Sequence, residues 1–335
     1  MDVRRPNGVP PDELPANIGV PDEPIAEDWL LETRNPRMAA LLETLERAAA
    51  GDSTILLSGD SGTGKDVLAR QIHRWSPRRR GPFVVINCAT LAEPLLENEL
   101  FGHVRGSFTG AIDDKPGRLE AGSGGTLLFD EIAELTTSLQ RKFLRFVQDC
   151  GIERIGNDRT LTVDVRVVAA SSRNLEAEVA AERFRHDLFY RLNVIAFTLP
   201  PLKERTQDIL LLADWMLKKL SIESARPEFR LSPDAAAALV SYRWPGNVRE
   251  LHNALRRAAI LARSEIIAPD DLPDSISHPV SAVPVRGANG IRLKDFEREH
   301  ILRVLASSST LAQAAAALGI NVTTLWRKRR HYGIS

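Results

Sequence analysis

Apolar positions recur every three to four residues in MAALLETLERAAA and again in DVLARQIHRW, the period of helices with one buried face. Between them the short apolar run TILLSG leads into a glycine loop, the punctuation of a strand handing over to a helix. Apolar runs of strand length return at FVVINCA, TLLFDE and VDVRVVAAS, separated by helical stretches such as SLQRKFLRFVQDC. Strands alternating with helices predict an α/β domain over about 29–203, a mostly parallel sheet covered by helices. After LPPLKER the strand signals stop. ILLLADWMLKKLS, PDAAAALVSY and NVRELHNALRRAAILA predict a small helical domain over 204–276. SHPVSAVPVRGANG, ending at residue 290, is aperiodic and rich in Pro, Gly, Ser and Ala, so 277–290 reads as a linker. Beyond it FEREHILRVLASS, TLAQAAAALGI and NVTTLWRKRRHYG predict three helices over 291–335. The last two are joined by a short turn at Gly319, and Asn321 caps the third. Residues 1–28 carry no pattern, with six prolines in the first 24, and read as a flexible lead-in.

Composition changes this picture little. The 335 residues suffice for about two domains, and 43% apolar with 26% charged residues is ordinary for a soluble globular protein. Lys and Arg (44) balance Asp and Glu (44), yet from Arg292 onward there are eight Lys/Arg against three Asp/Glu, so a neutral chain ends in a basic segment. Cys88 and Cys150 are too few for a disulfide framework and form no metal-ligand cluster, which predicts structural thiols in a reducing, cytoplasmic setting. No apolar run has the length of a signal peptide core or a membrane span, so no membrane partner is expected.

The candidate chemistry starts at Gly59, Asp60, Ser61, Gly62, Thr63, Gly64, Lys65 and Asp66, a glycine loop between strand and helix. Such a loop turns successive backbone N–H groups into one concavity, the helix N-terminus adds positive potential, and Lys65 reaches terminal phosphates. Asp66 stands where Ser or Thr is usual. The motif alone is weak evidence; TLLFDE strengthens it, because Asp130 at a strand end can hold Mg²⁺ through water while Glu131 polarises the water attacking a γ-phosphate. ATP hydrolysis is the expected activity.

GDSGTGKD, FVVINCA, ELFGHVRGSFTGA, GGTLLFDEIAEL, FRHDLFYRLNV, LPPLKER and WPGNVREL follow one another in an order and spacing that resembles the sigma-54-dependent transcriptional activators, bacterial enhancer-binding AAA+ proteins with a Fis-type helix-turn-helix. The resemblance runs from about residue 29 to 335. It implies an AAA+ P-loop fold, an ATPase domain, a helical lid and a DNA-binding domain, with ATP and Mg²⁺ as ligands and assembly from dimers into a hexameric ring. It further implies that Gly106, Ser107, Phe108, Thr109, Gly110 and Ala111 form the mobile loop that contacts sigma-54 RNA polymerase. Gly106 and Gly110 would be its hinges, with Phe108 and Thr109 the contact. Exposing an aromatic there forgoes about 2 kcal/mol of burial, a cost a partner can recover. Ser107 replaces the family's Ala and is expected to be tolerated.

By the same resemblance Asn87 would hydrogen-bond Glu131 and hold it from its water. Arg185 and Arg191 would reach a neighbouring subunit's ATP, where a guanidinium suits the charge on the transferring phosphoryl group. Arg249 would sense nucleotide from the lid, with Trp244, Pro245 and Gly246 making the turn before its helix. Ser172 replaces the family's sensor Asn and is expected to act through water, which weakens the first sensor. Asp66 for the family's Glu should matter little.

In the C-terminal segment Asn321, Thr323 and Thr324 are candidates for base or phosphate contacts on double-stranded DNA, and Arg327, Lys328, Arg329 and Arg330 for phosphate contacts. Trp326 is expected in the core, and Ala314 to Ala317 are expected to keep helices close. Only about 28 unpatterned residues precede the ATPase region, so no receiver domain is expected and control would come from a regulatory protein in trans or from expression level. The reading is thus an ATP-hydrolysing activator that binds an upstream site and remodels closed sigma-54 polymerase. Two alternatives stay open: a DNA-binding repressor that keeps the AAA+ fold without remodelling, and another AAA+ machine such as a protease-associated unfoldase or helicase loader.

Overall fold

The computed structural model describes residues 31–224, 226–277, 293–308 and 310–334. The lead-in over 1–28 and nearly all of the expected linker over 277–290 lie outside the described residues. Two compact units are divided between His278 and Pro279.

Five strands form the sheet of the first unit: β1 Ile55–Ser58, β2 Phe83–Asn87, β3 Thr126–Asp130, β4 Arg166–Ser171 and β5 Ile195–Thr198. Their order is β2-β3-β4-β1-β5, every pairing parallel. The apolar runs are continuous because both faces are covered. In β3, Leu127 and Phe129 enter a core with Phe143 and Phe146 of helix Thr137–Asp149, whereas Leu128 enters the opposite core with Ile72 and Leu45 of helices Lys65–Trp75 and Pro36–Ala49. Helix Pro36–Ala49 starts on an Asn35 cap that accepts from the Met38 N–H, with Pro36 in the first turn. It ends on Arg166, buried in β4, whose guanidinium donates to the carbonyls of Ala49 (2.7 Å) and Ala48 (3.1 Å) and so opposes the negative helix end. Cys88 is buried just past β2, and burial pushes its thiol up to about 12, which makes it an inert packing residue.

Helices Ile209–Glu223, Pro233–Ser241 and Asn247–Leu261 build the lid around Trp244, whose indole N–H donates to the Leu239 carbonyl at 2.8 Å. Val67 from the helix behind the glycine loop and Leu202 from the connector share this lid core.

The second unit holds helices Leu293–Ser307, Leu311–Ala317 and Val322–Tyr332 around Ile301, Ala314, Ala315 and Leu325. Of the expected close-packing alanines, Ala314 and Ala315 are buried while Ala316 and Ala317 face solvent. Gly319 makes the turn at φ 63°, and Asn321 caps the third helix by accepting from the Thr323 N–H.

Candidate nucleotide site, partner loop and DNA-facing helix

The glycine loop lies at the C-terminal end of β1, where a parallel sheet opens its crevice. Gly64, in left-handed conformation, starts helix Lys65–Trp75. Gly62 is required for a second reason: a Cβ there would sit 2.4 Å from the Gly246 carbonyl oxygen, so the lid turn is pressed against the loop. Lys65 is buried and donates from Nζ to the carbonyls of Gly59 (2.7 Å) and Asp60 (3.2 Å), while Thr63 Oγ1 donates to Asp60 at 2.8 Å. Burial lowers the Lys65 ammonium pKa, and Glu131 and Asp130 pull it back. Asp130 behaves in the opposite sense: burial pushes its carboxyl up, Glu131 adds to this, and Lys65 opposes it. Lys65, Asp130, Glu131 and Asp66 thus form one electrostatic group around the loop. A cleft lined by Gly59, Asp60, Ser172, Asn174, Asn193 and Thr198 runs beside it.

Glu131 leaves β3 in a left-handed turn, φ 52°. Its expected partner is not the one found. Asn87 donates from Nδ2 to Asp130 Oδ2 at 3.3 Å, and Glu131 instead accepts from both the backbone N–H (2.9 Å) and the Oγ (2.6 Å) of Ser172. Strand register gives the reason, because Asn87 pairs with Asp130 across β2 and β3, while Ser172 follows the last residue of β4. Ser172 therefore bonds directly to the glutamate, a partner the sequence reading did not name.

Arg249 donates from Nη1 to Ser61 Oγ at 3.0 Å, a bond between lid and loop. Arg185 and Arg191 do not join the site. Arg185 pairs with Asp187 at 2.7 Å at the start of helix His186–Leu192, and Arg191 reaches the carbonyls of Val147 and Gln148, each at 3.4 Å. Sequence reasoning passed over Asn247 and Arg205, both buried and both bonded to the loop: Asn247 Nδ2 donates to the Ser61 carbonyl (3.0 Å) and Arg205 Nη2 to that of Thr63 (2.9 Å). The left-handed φ of 53° at Asn247 had a sequence signal, an Asn directly after Gly246.

The GSFTGA segment caps an antiparallel pair, Gly102–His103 with Lys115–Pro116. Gly106 and Gly110 have φ of 80° and 105°, and neither meets a neighbour within 4 Å, so conformation and not crowding calls for glycine. Phe108 is 45% exposed, its ring edge-on to His103 at 5.0 Å, and Thr109 is exposed. Ala111 is buried, closing the loop through its carbonyl, which accepts from the Gly106 N–H at 2.9 Å. Ser107 Oγ is buried without a partner, a penalty of about 1–3 kcal/mol that alanine would avoid.

On the third C-terminal helix the buried residue is Leu325; Trp326 is 55% exposed, with the Arg330 guanidinium 5.7 Å from its ring centre. This corrects the expected core placement of Trp326. Thr323, Trp326, Arg327 and Arg330 are exposed, and Asn321 and Thr324 stand at the helix start. Lys328 is committed to Glu297, which also accepts from the Tyr332 hydroxyl, and Arg329 has a buried, unpartnered Nε.

The profile described as "Sigma-54 interaction domain" matches residues 31–198, "AAA+ ATPase lid domain" 203–286 and "Bacterial regulatory protein, Fis family" 292–332. The alginate biosynthesis transcriptional regulatory protein AlgB of Pseudomonas aeruginosa is 49% identical over 304 residues, which cover 91% of this chain and 68% of AlgB. The regulatory protein AtoC of Escherichia coli is 43% identical over 311 residues, 90% of this chain and 67% of AtoC. Among solved structures, NtrX from Brucella abortus in complex with ATP superposes with a TM-score of 0.68 at 34% identity, covering 90% of this chain and 69% of NtrX. With three profiles in this order and relatives this similar, the chain belongs to the sigma-54-dependent transcriptional regulators, built on an AAA+ P-loop NTPase domain.

Proposed function

We propose that this protein hydrolyses ATP to remodel closed sigma-54 RNA polymerase from an upstream DNA site. One observation carries the reading: a half-exposed Phe108 between Gly106 and Gly110 shares a single compact unit with the Lys65, Asp130 and Glu131 group. The ATP complex of NtrX supports the nucleotide. The glycine loop would hold the phosphates, Lys65 would leave its loop carbonyls for phosphate oxygens, and Glu131 would leave Ser172 to orient the attacking water.

Among the described residues no three metal-ligating side chains converge, so the site suits a cation held largely by phosphate oxygens and water. Magnesium fits that description: Asp130 would hold it through water and Asp66 would add negative potential. When bound it supplies charge neutralisation on the phosphates. Arg185 and Arg191, unused by their own loop, would serve a neighbouring subunit in a ring of up to six copies.

The test is ATP-dependent open-complex formation by sigma-54 polymerase on a promoter bearing this protein's binding site. Promoter melting is expected with ATP and not with a non-hydrolysable analogue. Thr109→Ala is expected to keep ATP turnover within about twofold and lose promoter opening, since Thr109 is an exposed residue of the GSFTGA segment. Normal opening by Thr109→Ala would overturn the loop assignment.

For the second unit the exposed face nominates Thr323, Trp326, Arg327 and Arg330 for DNA. Arg327→Ala or Arg330→Ala is expected to weaken DNA binding and reduce the salt slope by about one, as loss of a phosphate contact does, whereas Lys328→Ala changes both less because Lys328 is paired with Glu297. Binding isotherms at several salt concentrations distinguish them; an equal loss for Lys328→Ala would reject the facing.

A further inference from the structure

We infer that Asn247 is a positioning residue that makes the shape of the nucleotide loop and the angle of the lid one variable. The inference rests on the nucleotide reading above and goes beyond it, since Arg249 is the lid residue that the resemblance assigns.

Asn247 opens helix Asn247–Leu261, is 1% exposed, and holds a left-handed φ of 53° that Asn tolerates better than most residues. Its carboxamide bonds two other segments. Oδ1 accepts from the Leu202 N–H at 2.8 Å, and Nδ2 donates to the Ser61 carbonyl at 3.0 Å. The two partners fix the amide orientation, because an N–H requires the oxygen and a carbonyl requires the NH₂. Leu202 lies on the connector between sheet and lid; Ser61 lies in the phosphate loop. One side chain therefore joins lid, connector and loop.

The next residues extend the seam. The N–H groups of Val248 (2.9 Å) and Arg249 (3.3 Å) point at the Gly62 carbonyl, and Arg205 Nη2 takes that of Thr63. Three successive loop carbonyls, those of Ser61, Gly62 and Thr63, are thus held by donors from the lid and its connector. A loop that rearranges around phosphates must shift these carbonyls, and the first helical turn of the lid shifts with them. Arg249 can report on phosphate only from where Asn247 sets its helix.

Two substitutions separate the roles. Asn247→Asp keeps the acceptor for Leu202 but sets a charged acceptor against the Ser61 carbonyl. Asn247→Gly keeps the backbone conformation and removes both bonds without adding charge. In the full chain, ADP binding is measured by titration, folding by thermal melting, and lid movement by the distance between labels on Glu46→Cys and Arg257→Cys in a Cys150→Ser background. Both variants are expected to melt cooperatively, to bind ADP at least tenfold more weakly, and at saturating ADP to lose the label-distance change of the parent.

Parent-like affinity and distance change in both variants would overturn the inference. So would a loss confined to Asn247→Asp, since charge alone would then suffice, and so would failure of both to fold, which would make Asn247 a structural cap. A parent protein that binds no ADP would instead overturn the nucleotide reading itself.

Discussion

Glu131→Ala is expected to lower ATP turnover by about 10²- to 10⁴-fold, the usual loss when a positioned general base is removed, while ATP binding stays within about threefold. Binding is preserved because the loop and its lid contacts run through Ser61, Gly62, Thr63, Lys65 and Arg249 and do not include the glutamate. The strained turn is not a confounder: Glu131 already carries a Cβ at φ 52°, so alanine adds no backbone penalty. The two hydrogen bonds to Ser172 are lost, and both donors can turn to water in a part-buried site. Steady-state turnover with a parallel nucleotide titration checks the outcome. Turnover within tenfold of the parent would move the base elsewhere, and loss of binding together with turnover would make Glu131 a structural residue.

The sheet was legible because its strands are buried on both faces and read as unbroken apolar runs between amphipathic helices. The phosphate loop was legible because its glycines and lysine are dictated by backbone geometry and charge, independent of what packs around them. What escaped the sequence depends on which side chain reaches which across elements distant in the chain. Asn87 was paired with Glu131, yet strand register sets it opposite Asp130, one residue short. Asn247 was legible as a turn residue but not as a bridge, since Ser61 is 186 positions away. Trp326 was assigned to the core, yet it is exposed. One position is about 100° of helix, and Leu325 points inward with Ile301, which turns Trp326 out. The same rotation carries Lys328 to Glu297, where composition had counted it as one more free cation.

Arg185→Ala, Arg191→Ala or the double change is expected to cost about 10³- to 10⁵-fold in ATP turnover, the value of an arginine supplied to a transferring phosphoryl group. Neither guanidinium touches its own nucleotide loop: Arg185 holds Asp187 in a solvent-screened pair, and Arg191 rests on the carbonyl ends of helix Thr137–Asp149. Both are weak attachments that a neighbour's phosphates can replace, and their release leaves nothing buried and unpaired. If the arginines act across a subunit boundary, mixing has a distinctive consequence. Glu131→Ala subunits keep their arginines and Arg185→Ala subunits keep their glutamate, so a mixed assembly contains interfaces in which an intact glutamate meets an intact arginine. Two inactive proteins are therefore expected to recover turnover on mixing, whereas the Glu131→Ala, Arg185→Ala double variant mixed with either gives none. No recovery from the single variants, under conditions where subunits are seen to exchange, would place the arginines in their own subunit's site and remove the reason for a ring.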